Sequence, residues 1–86
     1  MKLEARILSV VGGKNLKAYA SVCVEDKLLI KGIKIIDGVN GRFASMPSRK
    51  TRKGDYADIC FPITPEMRDD IEKAVLDAYS KKLEEL

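Results

Sequence analysis

Leu16-Lys17-Ala18-Tyr19-Ala20-Ser21-Val22-Cys23-Val24-Glu25 alternates without a break. Leu16, Ala18, Ala20, Val22 and Val24 point one way; Lys17, Tyr19, Ser21, Cys23 and Glu25 point the other. Period two marks a strand with one buried face. The fold is therefore a sheet covered on one side. Outward from this stretch, residues 3–11 are apolar and β-branched and predict a preceding strand, with a turn at Gly12-Gly13-Lys14-Asn15. Asp26-Lys27 is short enough for a tight hairpin into a third strand over 28–36. Its alternation fails at Lys31-Gly32, as at a bulge. Asp37-Gly38-Val39-Asn40-Gly41 has turn chemistry, and residues 42–46 form a fourth strand stopped by Pro47, which cannot donate to a ladder. Residues 55–61 alternate again and predict a fifth strand, antiparallel to the fourth.

The last element is helical. Thr64 suits an N-cap and Pro65 the first helical position. Glu66, Asp69 and Asp70 follow where the helix dipole favours acids. Met67, Ile71, Ala74, Val75, Ala78 and Leu83 fall on one face at helical spacing and should cover the sheet. The expected fold class is α+β: a five-stranded antiparallel sheet, then one long C-terminal helix packed on it. All 86 residues form one domain, with the sheet in 1–63 and the helix in 64–86. A core this small leaves a face or edges uncovered, so a homodimer through sheet edges is expected.

Composition narrows the function. Apolar residues make up 45% and charged residues 34%, which fits a globular domain and excludes a disordered chain. No apolar run approaches the ~20 residues needed to span a bilayer, and the first residues lack the apolar centre of a signal peptide. A cytoplasmic protein without a membrane partner is expected, with Cys23 and Cys60 as reduced packing residues. The chain has no histidine. That removes the commonest general base and metal ligand, and every Ser-His or Cys-His nucleophile pair. No glycine motif opens a helix that could hold a phosphate. The reading is a non-enzyme with no catalytic residue, metal, cofactor or small-molecule substrate.

Charge is unevenly spread. Residues 1–64 hold 12 Lys+Arg against 6 Asp+Glu, whereas residues 65–86 hold 4 against 7. The excess concentrates in the loop 48–54, Ser48-Arg49-Lys50-Thr51-Arg52-Lys53-Gly54, and no acid occurs between Asp37 and Asp55. Clustered cations neutralise phosphates, and Arg adds a planar fork for paired oxygens. Ser48 and Thr51 supply hydroxyls, and Arg42 lies in the strand leading in. A short charge run is also what a solvated surface loop looks like. An acidic protein partner, met by the chain as an interaction adaptor, is the alternative to nucleic acid.

Ile36-Asp37-Gly38-Val39-Asn40-Gly41-Arg42-Phe43-Ala44-Ser45-Met46-Pro47-Ser48-Arg49-Lys50-Thr51, followed by Gly54, Tyr56-Ala57-Asp58-Ile59 and Pro62-Ile63, resembles the signature of the stage V sporulation protein G (SpoVG) family of bacteria. The resemblance runs over nearly the whole chain. It implies a dimeric regulator of septation and sporulation that binds DNA, and RNA in some members. Arg49 and Lys50 match the family's cations. Arg52 and Lys53 make this loop more basic than the usual pattern, Ala57 replaces a position often basic, and Phe61 stands where histidine is frequent. The nucleic-acid-binding set is Arg42, Ser48, Arg49, Lys50, Thr51, Arg52 and Lys53. Phe43 and Met46 are expected as core or dimer contacts, and Pro47 as a stiff entry to the loop.

Overall fold

The computed structural model describes all 86 residues. Strands β1 (Leu3–Val10), β2 (Leu16–Val24), β3 (Leu28–Gly38) and β4 (Gly41–Ser45) form an antiparallel meander in the order β1-β2-β3-β4. A separate two-stranded ribbon follows, β5 (Ser48–Lys50) against β6 (Tyr56–Asp58), then helix α1 (Pro65–Glu85). No helix is long and apolar enough to cross a membrane.

The alternation in β2 sorts the sheet's faces. Ala18, Ala20 and Val22 are fully buried with Ile33 and Ile35 of β3, beneath Ile71, Val75 and Tyr79 of α1. The helix contributes at i, i+4 and i+8, one stripe of its surface. Its start is capped as the sequence predicts, with the Thr64 hydroxyl accepting the Met67 N–H at 3.2 Å. The stripe differs from expectation at its far end. Tyr79 is buried and Leu83 is exposed.

Gly32 sits at φ +86°, and the β2–β3 register shifts there, pairing Ala20 with Ile33 but Ser21 with Lys31. The bulge read from Lys31-Gly32 is present. Glycine occupies this left-handed region without the Cβ clash other residues meet.

The expected five-stranded sheet is corrected to four strands plus the ribbon. β4 pairs with β3 only from Lys34 to Gly38 and ends at Ser45, before the Met46-Pro47 turn. Pro47 has no N–H to continue a ladder. Residues 48–50, read as loop, are a strand, and the strand expected over 55–61 shrinks to Tyr56–Asp58. Ile59, Phe61 and Ile63 are consequently exposed, not tucked into a sheet.

Candidate nucleic-acid interface

The ribbon is built by backbone bonds alone. Ser48 stands opposite Asp58, Arg49 opposite Ala57 and Lys50 opposite Tyr56. At the tip, the Thr51 N–H donates to the Asp55 carbonyl at 2.7 Å, and the Gly54 N–H to the Thr51 carbonyl at 3.1 Å. Gly54 has φ +93°. This is a three-residue hairpin loop, Arg52-Lys53-Gly54, closed by a glycine in the left-handed region. Arg52 and Lys53 therefore occupy the outermost positions of the turn. At the base, the Ile59 N–H donates to the Pro47 carbonyl at 2.7 Å. Met46 packs against the core, and Pro47 lies over the Gly32 bulge, where an added Cβ would stand 3.7 Å from the proline Cβ.

Arg49, Lys50, Arg52 and Lys53 are all exposed. The chain's ion pairs engage Lys2, Lys17, Arg42 and Lys82, and none of the four ribbon cations. Asp55 and Asp58 belong to the ribbon themselves but lie beyond 4.0 Å of those cations. The Ser48 and Thr51 hydroxyls are half-buried and make no hydrogen bond within the chain. The ribbon thus gathers six of the seven residues singled out from sequence. Four of them are exposed cations with no carboxylate within 4.0 Å.

Arg42 is the seventh, and its surroundings differ. It faces Asp37 directly across the β3–β4 hairpin. Its Nε donates to Asp37 Oδ1 at 2.6 Å, and Nη2 to Oδ2 at 3.3 Å. The guanidinium carbon lies 4.9 Å from the centre of the Tyr79 ring. The Arg42 hydrogen bond holds the Asp37 carboxyl below the usual carboxylate range, against a smaller opposing push from desolvation, and Lys17 at 3.8 Å adds to the lowering. The same pair pushes Arg42 upward. Arg42 therefore ties strand to strand and sheet to helix, with its charge already compensated.

Sequence reading passed over Tyr56 as a site residue. It is 71% exposed, directly across from Lys50. Its pairing with Lys50 and its exposure are what mark it, and neither is readable from the alternation of residues 55–61. Phe43, expected as a core contact, is exposed over Gly38 and makes no part of the core. The chain's concavities are open and shallow, the widest about 450 Å³ between Asn15, Ile36 and Phe43. No three His, Cys, Asp or Glu side chains converge as a metal site.

A family model described as SpoVG matches residues 1–81. A Clostridium perfringens protein is 44% identical over 78 residues, covering 91% of this chain and 87% of its own length. An Archaeoglobus fulgidus protein is 40% identical over 79 residues, covering 92% and 93%. A Treponema denticola protein is 40% identical over 78 residues, covering 91% and 84%. Each of the three carries the name "Putative septation protein SpoVG".

Proposed function

The chain belongs to the SpoVG family, and from that premise we propose that it is a dimeric, cytoplasmic nucleic-acid-binding regulator, acting in septation, that binds without catalysing a reaction. One observation carries the reading. Four exposed ribbon cations have no carboxylate within 4.0 Å. A cation not engaged by the protein is free to displace counterions from phosphate. The two unbonded hydroxyls at the ribbon's base and turn add donors for phosphate oxygens.

The dimer is supported by what the monomer leaves uncovered. β4 covers β3 only as far as Lys34, so the backbone edge of β3 from Leu28 to Ile33 has no strand beside it. Leu28, Leu29, Ile59, Phe61 and Ile63 are exposed, and a cavity of about 300 Å³ runs between Leu29, Pro47 and Ile59. An open edge beside apolar side chains is where a second copy gains most by pairing. A Phe61→Glu, Ile63→Glu variant should sediment as a monomer.

The test of binding is a salt titration by fluorescence anisotropy with duplex DNA and with RNA. Affinity should fall steeply with salt, with a slope of about −0.9 per duplex phosphate neutralised. Replacing Arg49, Lys50, Arg52 and Lys53 together by Ala should flatten that slope by up to about 3–4 and leave the fold intact. A folded quadruple variant that binds like wild type at equal salt would overturn the assignment.

A further inference from the structure

Helix α1 covers one face of the four-stranded sheet, and the opposite face carries a pattern the ribbon does not use. Arg6 of β1, Ser21 of β2 and Lys31 of β3 stand side by side across three strands. The adjoining row is Ser9, Tyr19, Lys34 and Ser45, running across all four strands. Between Arg6 and Lys31 lies a depression of about 370 Å³ lined also by Glu4, Leu8, Ser21, Cys23 and Leu29. Strands are ~4.8 Å apart, so Arg6 and Lys31 rise ~10 Å from each other on either side of it.

Arg6, Lys31 and Lys34 have no carboxylate within 4.0 Å. Glu4, in the row beyond Arg6, is drawn to Lys2 at 3.4 Å. A second copy laid face to face would set these three cations against three more, which disfavours self-association here. An anionic partner suits the face. Tyr19 lies between Ser9 and Lys34 on this face, outside the buried core, and Phe43 is 39% exposed. A flat sheet offering cations around an aromatic ring fits a backbone of phosphates with unpaired bases, because every base has a face that can stack. A duplex hides those faces.

We propose that the open sheet face is a second platform, for single-stranded nucleic acid, in which Arg6, Lys31 and Lys34 neutralise phosphates and Tyr19 stacks on a base. This rests on the reading that the chain binds nucleic acid, and the platform adjoins the ribbon's base at Lys31, which also lines the cavity with Pro47 and Ile59.

The experiment uses labelled mixed-sequence single strands of about 20 nucleotides, one DNA and one RNA, with the matching DNA duplex. The proteins are wild type, Arg6→Gln/Lys31→Gln/Lys34→Gln, Tyr19→Leu, and the ribbon quadruple-alanine variant. Lys31→Gln/Lys34→Gln serves as a milder form should the triple variant melt early. The sheet variants should lose tenfold or more on single strands of either sugar, with a salt slope shallower by about 2. Tyr19→Leu should lose about fivefold or more on single strands. Duplex binding should change by less than about threefold.

Sheet variants that bind single strands like wild type, while the ribbon variant loses binding, overturn the platform and leave the proposed function standing. Equal losses on single strands and duplex overturn the single-strand assignment. A change from dimer to monomer in the sheet variants makes the face a self-interface and overturns the proposal. Wild-type protein that binds none of the probes overturns both readings together.

Discussion

The body of the molecule buries eight apolar side chains between sheet and helix, whereas the ribbon from Ser48 to Asp58 buries none of its side chains. In the body, alternation and helical spacing converge on one interior, so position follows from packing. In the ribbon, shape comes from a hairpin turn, one glycine and a few backbone bonds. The cations on it are then held out in water, where their charge is available. Stability and the binding proposed for the ribbon are thereby assigned to different parts of one short chain, and each should be open to disturbance without the other.

The strongest way to break that division is from the body. Ile33 is fully buried at the bulge beneath the helix. Ile33→Ala should destabilise by about 3 kcal/mol through lost burial and a residual cavity. Denaturant unfolding should register it in full, and nucleic-acid binding should fall only to the extent that the protein unfolds. A binding loss in fully folded Ile33→Ala protein would show that the two parts are coupled.

Arg42→Ala is next. It removes a paired guanidinium and its contact with the Tyr79 ring, both partly open to solvent. The expected loss is about 1 kcal/mol, discounted for that exposure. The salt slope of binding should stay within error, because Arg42's charge is met by Asp37. A slope flattened by about 1 would return Arg42 to the binding set.

Gly54→Ala should act on the ribbon alone. An alanine at φ +93° costs about 1 kcal/mol locally. The Thr51 amide, bonded to Asp55, should exchange with solvent faster, while the global melting curve barely moves. Slower binding with unchanged melting would sharpen the separation. A melting shift as large as that of Arg42→Ala would erase it.

The smallest effect is on acid sensitivity. Arg42 holds the Asp37 carboxyl low, so the folded pKa lies below the unfolded one. Such a group lends stability above its unfolded pKa, about 3.9, and loses it as pH falls through the folded pKa. The stability gap between wild type and Asp37→Asn should therefore hold from neutral pH to about 5 and close in more acidic solution. Urea midpoints across that range would measure it. A gap that persists after the carboxyl is protonated would place the effect elsewhere.

Most of the body was legible because its signals are local and repeated. The β2 alternation assigned Ala18, Ala20 and Val22 to the interior, and Gly32 marked the bulge. The ribbon's departure was not legible. Whether a fifth strand joins the sheet depends on where Met46-Pro47 sends the chain, and alternation in residues 55–61 carries no information about which strand it faces. The C-terminal stripe was read one residue early because Ala78 and Tyr79 are both compatible with helical spacing. Only the sheet beneath selects Tyr79. Arg42 counted as a free cation because Asp37 is five residues away in sequence. The turn is centred on Val39-Asn40, and symmetry about it sets Asp37 opposite Arg42. The loop cations were legible in full as to identity and exposure.

Pro47 sits over the Gly32 bulge, and the ribbon beyond it has the shape of a lever resting there. From Pro47 to Arg52 the chain reaches ~16 Å at ~3.3 Å per residue. A rotation of about 10° at the fulcrum would swing the tip by about 3 Å, close to the ~3.4 Å advance per nucleotide along one duplex strand. On the proposed function, the phosphate within reach of Arg52 and Lys53 would then be set at Gly32 in the third strand, by a residue that carries no charge.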